Sequence, residues 1–476
     1  MPRLFISAAH KSSGKTTVTL GLCAALRERG LAVQPFKKGP DYIDPMWLGR
    51  AAGRACHNLD FYTMDRDEIR ETVDRHEAGA DIAIVEGNKG LYDGLDLDGS
   101  NSNAALAKLL RTPVILVLDA RGMTRGIAPL ILGYQAFDPD IGIGGVILNQ
   151  LGGQRHESKL RAVIEHYTDV PVLGAVARDP DMEILERHLG LIPSNEERDA
   201  ERHIAAIGRA IGDQVDLDRL LQLAATAPAV HPVAKPAPPP APLPPLRIGI
   251  ARDDAFGFYY PGDLQAFEAL GAELVPVDMI HDGRLPALDG LFIGGGFPES
   301  RMEALAANGA MRHALRDAIE GGLPAYAECG GLMYLARSLS WRGRTAEMAG
   351  VIPADAVMCE RPQGRGYVRL KETAFSPWPG AGAADDEIAA HEFHYSRLEN
   401  LTGDHRYAFD VARGTGIDGR HDGLLFHNLL ACYSHRRHTR QDPWVQRFLA
   451  FVSDCKAGDR AALSHLHNNA HPRTEP

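Results

Sequence analysis

The chain has 476 residues, of which 45% are hydrophobic and 24% are charged, and its formal net charge is −11. This length predicts two or three domains with sizeable cores. The acidic balance excludes an overall basic field for binding nucleic acid or an anionic membrane. Six cysteines, none of them in a CxxC pair, are too few for a disulfide scaffold. No signal-like segment or apolar run of membrane-spanning length occurs, so we expect a cytoplasmic protein without membrane contact.

Short apolar runs alternate with helical patterns in both halves of the chain. The strands predicted in the first half are Leu4–Ala8, Ala32–Phe36, Ile82–Val85, Val114–Leu118, Gly144–Leu148 and Val172–Ala175. Those predicted in the second half are Arg247–Ala251, Glu273–Val277, Gly290–Ile293 and Pro324–Ala327. Runs that are apolar throughout and alternate with helices indicate parallel sheets buried on both faces. The predicted fold class is therefore α/β, with two doubly wound parallel-sheet domains.

A proline-rich segment marks the boundary between these domains. Residues 226–246 contain nine of the 31 prolines, and so dense a proline run neither continues a helix nor joins a sheet interior. We expect an extended, semi-rigid spacer there. The predicted domains are then residues 1–225 and 247–455, followed by a frayed tail at 456–476.

The first loop of the chain carries a phosphate-binding pattern. Residues 9–16 read AHKSSGKT, which is close to GxxxxGK[ST] with Ala9 at the first glycine, and they lie between a predicted strand and a predicted helix. Backbone N–H groups and the positive helix end favour phosphates there. The predicted ATP-binding residues are Ser12, Ser13, Gly14, Lys15, Thr16 and Thr17. Lys15 is expected to reach the β- and γ-phosphates, and the Thr16 hydroxyl to ligate Mg²⁺. The alternative is an ordinary strand–turn–helix corner with a surface lysine.

Charged residues follow the next strands at the same expected sheet edge. Glu86 ends a buried strand and is the predicted second Mg²⁺ ligand, because ligands bind at the carboxyl ends of strands in open sheets. The candidates to orient substrate or metal are Asp41, Asp44 and Asp93. The candidates to neutralise phosphate or substrate carboxylates are Lys37 and Lys38. A polar turn with solvated charges is the alternative for these loops.

The second half contains a candidate thiol nucleophile. Residues 324–333 read PAYAECGGLM, a short strand that meets Cys329 and then a glycine pair before a helix. This is the pattern of a nucleophile elbow, and a helix N-terminus favours the thiolate. The alternative is a buried, inert cysteine, which is the commoner role of that residue.

A thiol nucleophile needs a base and an oxyanion hole. The glycine run that follows Ile293, together with the glycine after Cys329, supplies candidate N–H donors: Gly295, Gly296 and Gly330. The preferred base is His435, just past a strand-like run. The alternatives that remain open are His391, His394, His427 and His438.

Six segments occur in the order found in cobyrinate a,c-diamide synthases, which this chain resembles over nearly its whole length. They are FKKGPDYIDP, EGNKGLYDG, GGGFPES, AECGGLMYL, HEFHYS and ACYSH. The resemblance implies an N-terminal domain similar to dethiobiotin synthetase and a C-terminal class I glutamine amidotransferase domain of flavodoxin-like fold. It implies that Cys329 is the glutaminase nucleophile and His435 its base. The class I triad has glutamate two residues after the histidine, where this chain has Arg437, so the third member stays unassigned.

The resemblance also implies a reaction. The enzyme would be a carbon–nitrogen ligase that uses ATP, Mg²⁺ and L-glutamine to amidate the a and c acetates of cobyrinate or hydrogenobyrinate through an acyl phosphate. The expected partners are thus small molecules, including a tetrapyrrole polycarboxylate, with a homodimer possible. Relatives that amidate corrins commonly read FKVGPDYIDP and EGVMGLFDG, whereas this chain has Lys38 and Lys89. These cations keep sirohydrochlorin or sirohaem open as the substrate. The alternative from another functional class is an ATPase that acts as a molecular switch and carries an inactive glutaminase domain.

Overall fold

The computed structural model describes residues 1–182, 184, 186–187, 190–197, 199–229, 244–380 and 386–458. The chain divides into two compact units, Met1–Pro236 and Ala237–Pro476. Most of the predicted spacer, 230–243, and most of the predicted tail, 459–476, lie outside the described residues. Within the described ranges, every helix is too short or too polar to span a lipid bilayer.

The first unit is built on a parallel sheet. Its strands are β1 (Arg3–Ala8), β2 (Val33–Lys38), β3 (His57–Leu59), β4 (Ile82–Glu86), β5 (Val114–Asp119), β6 (Ile143–Leu151), β7 (Val172–Ala177), β8 (Glu186–Arg187) and β9 (Gly190–Leu191). Its helices are α1 (Lys15–Glu28), α2 (Ile43–Ala52), α3 (Arg66–Glu77), α4 (Asn103–Leu110), α5 (Ile127–Phe137), α6 (Gln154–Tyr167), α7 (Ala200–Gln214) and α8 (Leu217–Ala224), with a 3-10 turn at Pro180–Met182.

Seven of these strands form one sheet in the order β3-β2-β4-β1-β5-β6-β7. The chain builds outward from β1 first to one side and then to the other, which is the doubly wound arrangement. All six residues of β1 are buried, as expected for a strand covered on both faces. The register pairs Glu86 with both Ile6 and Lys37, so the phosphate loop and the strand-end charges share one edge.

The second unit contains a larger, mixed sheet. Its strands are β10 (Leu246–Ala251), β11 (Phe256–Phe258), β12 (Ala272–Val277), β13 (Gly290–Ile293), β14 (Gly295–Gly296), β15 (Ala325–Glu328), β16 (Ala336–Trp341), β17 (Arg344–Glu347), β18 (Ile352–Met358), β19 (Gly364–Glu372), β20 (Glu387–His394), β21 (Ser396–Glu399), β22 (Arg406–Arg413), β23 (His421–Phe426) and β24 (Leu429–Cys432). Its helices are α9 (Pro261–Ala269), α10 (Met302–Ala307), α11 (Gly309–Glu320), α12 (Gly330–Leu335) and α13 (Trp444–Ala457), with a 3-10 turn at Pro298–Arg301.

The main sheet of this unit has the strand order β12-β10-β13-β15-β24-β23-β22-β19-β20. The five neighbouring strands β12, β10, β13, β15 and β24 pair in parallel, and β23, β22, β19 and β20 continue the sheet in antiparallel pairs. The parallel part carries the four strands predicted from the sequence, whereas the antiparallel extension was not predicted. Because β15 and β24 are parallel neighbours, the residues that follow them, Cys329 and His435 among them, emerge at the same sheet edge.

Candidate active sites

The loop between β1 and α1 has the conformation of a phosphate cradle. Gly14 adopts φ +83°, in the left-handed region, directly before the first residue of α1. The Asn149 side-chain amide donates to the Ser13 carbonyl oxygen at 2.9 Å, and the Ser13 hydroxyl donates to the His10 carbonyl oxygen at 2.8 Å. These bonds order the loop at the positive end of α1, where a phosphate is electrostatically favoured. Lys15 opens the helix, and burial, followed by the charge of Lys37, lowers its pKa.

A cluster of oxygen donors lies beside this loop. The Thr16 hydroxyl donates to Glu86 Oε1 at 2.9 Å and to Asp44 Oδ2 at 3.3 Å. The Lys37 ammonium donates to Glu86 Oε1 at 2.7 Å and also to Asp44, and Asp41 lies 3.8 Å from it. Burial opposes the charge on Lys37, but Asp44 and Glu86 outweigh it and raise the pKa of Lys37 well above its usual value. Burial and the neighbouring charge of Asp44 raise the pKa of Asp41 to about 7.

The donor set of this cluster fits Mg²⁺. Thr16, Asp44 and Glu86 offer hard oxygen atoms, and Glu86 Oε2 is a buried oxygen without a hydrogen-bond partner among the described residues. The described part of the chain contains no group of three or more His, Cys, Asp or Glu side chains arranged as an all-protein metal cage. Mg²⁺ is usually held by one or two carboxylates plus substrate phosphates, and Asp44 and Glu86 are the two carboxylates that the Thr16 hydroxyl contacts.

The remaining predicted residues of this unit differ in exposure. Lys38 is buried, its ammonium lies 3.4 Å from the side-chain oxygens of Asn88 and Asn101, and burial lowers its pKa to about 8. Lys89 is exposed. Asp93 accepts the Gly90 N–H at 2.9 Å and so orders its own loop.

In the second unit, Cys329 occupies a strained turn. It has φ +46° and ψ −98°, which a residue with a side chain rarely adopts, between the end of β15 and the start of α12. Its N–H donates to the Cys432 carbonyl oxygen at 2.7 Å, which holds the turn against β24. Burial, with the charges of Glu299 and Glu328, raises the pKa of the thiol. A thiol in this environment needs a base to become a nucleophile.

His435 lies at the same corner as the glycine run. A Cβ atom on Gly295 would come within 2.7 Å of His435 Cε1. His435 Nδ1 lies 3.2 Å from Glu328 Oε2, and its ring stacks on that of His391 with centroids 4.9 Å apart. Of the other candidate bases, His394 stacks on Tyr433 at 3.9 Å and His438 Nδ1 accepts the Val445 N–H at 3.3 Å. The fourth alternative, His427, is exposed.

The glycines at this corner permit close approach of backbone segments. A Cβ on Gly330 would lie 3.0 Å from Gly296 N, and a Cβ on Gly296 would lie 1.9 Å from the Ala255 carbonyl oxygen. Larger residues would therefore push the glycine run away from the N-terminus of α12. This packing brings the three predicted oxyanion donors to one corner beside Cys329.

Comparisons with known proteins match both halves of the chain to domain families. Residues 5–192 match the family model of a CobQ/CobB/MinD/ParA nucleotide binding domain, and residues 247–443 match that of a CobB/CobQ-like glutamine amidotransferase domain. A cobyrinate a,c-diamide synthase from Magnetococcus marinus is 49% identical over 455 residues, covering 94% of this chain and 97% of that protein. The chain belongs to the cobyrinate a,c-diamide synthase family.

Other members of the cobyrinate a,c-diamide synthase family are nearly as similar. The Methanosarcina acetivorans protein is 42% identical, covering 91% of this chain and 92% of its own length. The Archaeoglobus fulgidus protein is 41% identical, covering 94% of this chain and 97% of its own length. The predicted resemblance, the α/β fold class and the assignment as a glutamine-dependent amidating ligase are thereby confirmed.

Two side chains of these sites were not predicted from the sequence. Asn149 fixes the phosphate loop from β6, and Glu328 faces His435 from the end of β15. Asn149 is a polar residue near the carboxyl end of an apolar strand, which is the signal that identified Glu86. Glu328 carries the same signal, because it ends the apolar strand β15 directly before Cys329.

The Gly14→Ala substitution is expected to weaken ATP binding at least about tenfold. The left-handed backbone costs an alanine about 1–2 kcal/mol, and its Cβ would lie 2.1 Å from the Asn149 amide nitrogen, so the loop must shift. Titration calorimetry with ATP measures the effect. The matched control is Gly30→Ala, at φ +84° with open space around it, which should lower stability and leave ATP affinity unchanged. Equal affinities in the two variants would contradict the assigned loop.

Proposed function

We propose that this protein amidates the a and c acetate side chains of cobyrinate or hydrogenobyrinate, with nitrogen from glutamine and energy from ATP. The observation that carries the proposal is the presence in one chain of a phosphate loop beside an oxygen-donor cluster and of a strained thiol whose preceding residue, Glu328, contacts a histidine. Each centre supplies one half of an ATP-driven amidation. The relatives named cobyrinate a,c-diamide synthase support the choice of substrate.

The thiol centre would release ammonia. The Cys329 sulfur attacks the side-chain amide carbon of glutamine while His435 accepts the thiol proton, and the oxyanion forms beside the N–H groups of Gly295, Gly296 and Gly330. His435 then returns the proton to the leaving nitrogen as the C–N bond breaks. The resulting γ-glutamyl thioester is hydrolysed by water to glutamate, which restores the thiol.

The nucleotide centre would make a carboxylate reactive. A carboxylate is a poor acyl donor because oxide is a poor leaving group. Attack of a carboxylate oxygen on the γ-phosphorus of ATP breaks the bond to ADP and gives an acyl phosphate, from which ammonia displaces phosphate to form the amide. Lys15 and the loop N–H groups would hold the phosphates, and Asp41 and Asp93 would orient the reactants.

The metal would be held by Thr16, Asp44 and Glu86. Bound Mg²⁺ neutralises phosphate charge and so lowers the electrostatic cost of bringing a carboxylate to the nucleotide. Lys37 bridges Asp44 and Glu86, so its cation offsets the mutual repulsion of these carboxylates. In this proposal Thr16, Asp44 and Glu86 act on the nucleotide.

A siroamide-type reaction is the second candidate, because Lys38 and Lys89 differ from the residues common in corrin-amidating relatives. The deciding experiment offers cobyrinate and sirohydrochlorin together, with ATP and glutamine, and follows both by mass spectrometry. The proposal expects a doubly amidated corrin and unchanged sirohydrochlorin. Amidation of sirohydrochlorin alone would change the substrate assignment and leave the proposed reaction chemistry unchanged.

An ATPase switch with an inactive glutaminase domain makes a different prediction for stoichiometry. Amidation requires that glutamate, ADP, phosphate and new amide accumulate in equal amounts, and only when the tetrapyrrole is present. ATP hydrolysis that proceeds equally without a tetrapyrrole, with no glutamate formed, would support the switch and contradict the proposed function.

A further inference from the structure

Arg437 stands two residues after His435, at the position where class I amidotransferases carry the triad glutamate. The Arg437 guanidinium carbon lies 5.2 Å from the centre of the Tyr260 ring, and as a cation it cannot accept a proton from the imidazole. Glu328 instead reaches His435 from the neighbouring strand, with Oε2 3.2 Å from Nδ1. Glu328 is 2% exposed and His435 is 4% exposed, so bulk water does not screen this pair.

We propose that Glu328, the residue directly before Cys329, is the positioning residue of this glutaminase and takes the place of the missing triad glutamate. The inference rests on the proposed roles of Cys329 and His435. Glu328 is not proposed to contact glutamine, and it acts through the imidazole of His435.

The Glu328 oxygen that does not face His435 is held by two hydrogen bonds. This oxygen, Oε1, accepts the Tyr326 hydroxyl proton at 2.6 Å and the Arg436 N–H at 3.0 Å. Oε1 is therefore committed to two donors, and Oε2 is left to face His435. The strand register explains the placement, because β15 pairs in parallel with β24 and aligns Glu328 with Cys432, three residues before the histidine.

The contact with Glu328 determines which nitrogen of the His435 imidazole carries the proton. A carboxylate at Nδ1 holds the proton there and leaves Nε2 as the atom that accepts the thiol proton. The same carboxylate stabilises the imidazolium that forms during the proton transfer. The stacked ring of His391 adds no positive charge, because burial, then the charges of His435 and Arg437, lowers the pKa of His391 well below its usual value.

The Glu328→Gln substitution tests this role. The glutamine oxygen can keep the bonds from Tyr326 and Arg436, which turns the NH₂ group toward Nδ1. Nδ1 must then be an acceptor, Nε2 carries the proton, and the base is lost. By analogy with the Asp→Asn change in a serine protease triad, kcat for glutamine hydrolysis should fall about 10³-fold or more. KM for glutamine and the rate of ammonium-dependent amidation should stay within about threefold of wild type, and the thermal unfolding midpoint should not change. None of these three quantities depends on the tautomer of His435.

The matched control is Glu392→Gln. Glu392 is also 2% exposed and lies 3.7 Å from a histidine, His394, but its oxygens accept the N–H groups of Thr415 and Gly416. Its neutralisation should leave kcat for glutamine within about threefold of wild type. A matching loss of activity in both variants would overturn the inference, since any buried charge change would then suffice.

Cys329→Ala, assayed in parallel, separates the inference from the proposed function. If Cys329→Ala is inactive but Glu328→Gln hydrolyses glutamine at the wild-type rate, the inference is overturned and the proposed function stands. Glutaminase activity that survives in Cys329→Ala would overturn the proposed function and the inference with it. Loss of folded Glu328→Gln protein, or of its ammonium-dependent amidation, would assign Glu328 to holding the strand end and also overturn the inference.

Discussion

The Cys329→Ser variant is expected to lose glutamine-dependent amidation by about 10⁴-fold or more and to keep amidation with ammonium salts within about threefold. A serine hydroxyl is a far weaker nucleophile than a thiolate at neutral pH, so no γ-glutamyl intermediate forms. Ammonia supplied from solution bypasses that step. Amide formation, followed by mass spectrometry with each nitrogen source, gives the comparison directly.

The control for this variant is Cys455→Ser. Cys455 is half-buried on α13, and its sulfur accepts a hydrogen bond from the Asn428 side-chain amide at 3.7 Å. Both nitrogen sources should support wild-type rates in that variant. Full glutamine-dependent activity in Cys329→Ser would show that the strained turn at the end of β15 is structural and that nitrogen is released elsewhere.

The Lys15→Ala variant is expected to lose amidation from both nitrogen sources by about 10²–10³-fold. Lys15 is the cation at the start of α1, and without it the phosphates lose the charge that stabilises the transferring group. Ammonium salts cannot rescue this variant, because the carboxylate is no longer activated. The two variants thus separate the two chemistries: ammonium restores Cys329→Ser and fails to restore Lys15→Ala.

Lys11→Ala serves as the control within the same loop. Lys11 is exposed, and its carbonyl oxygen lies 2.7 Å from His10 Nδ1. Its loss should change ADP release less than about threefold. Partitioning ATPases usually carry a functional second lysine early in this loop, so a large loss in Lys11→Ala would favour a switch ATPase. ADP release and amide formation, measured together for both lysine variants, decide between the two interpretations.

Strand ends with a characteristic residue pattern could be predicted from the sequence, although Asn149 and Glu328, which also lie at or near strand ends, were missed. The phosphate loop, Glu86 and Cys329 all follow buried strands, and the parallel-sheet rule places such residues at one edge without knowledge of the register. The antiparallel strands β19, β20, β22 and β23 were not predicted, because their mixed polar and apolar residues give no continuous apolar run.

Contacts between distant segments could not be predicted. Lys37 was expected to meet phosphate or a substrate carboxylate, and that expectation stays a prediction, but in the fold its ammonium is held by Asp44 and Glu86. The pairing of β2 with β4 creates the contact with Glu86. Glu328 and His435 are 107 residues apart, and their contact depends on the pairing of β15 with β24.

The most direct test follows oxygen from the substrate. Cobyrinate labelled with ¹⁸O in its carboxylates is incubated with ATP and [amide-¹⁵N]glutamine, and the phosphate and the product are examined by mass spectrometry. If ATP activates the acid and glutamine supplies the nitrogen, each new amide carries ¹⁵N and each phosphate released carries one ¹⁸O atom. Amide formation with phosphate that contains no ¹⁸O would contradict the acyl phosphate and with it the joint action of the two centres.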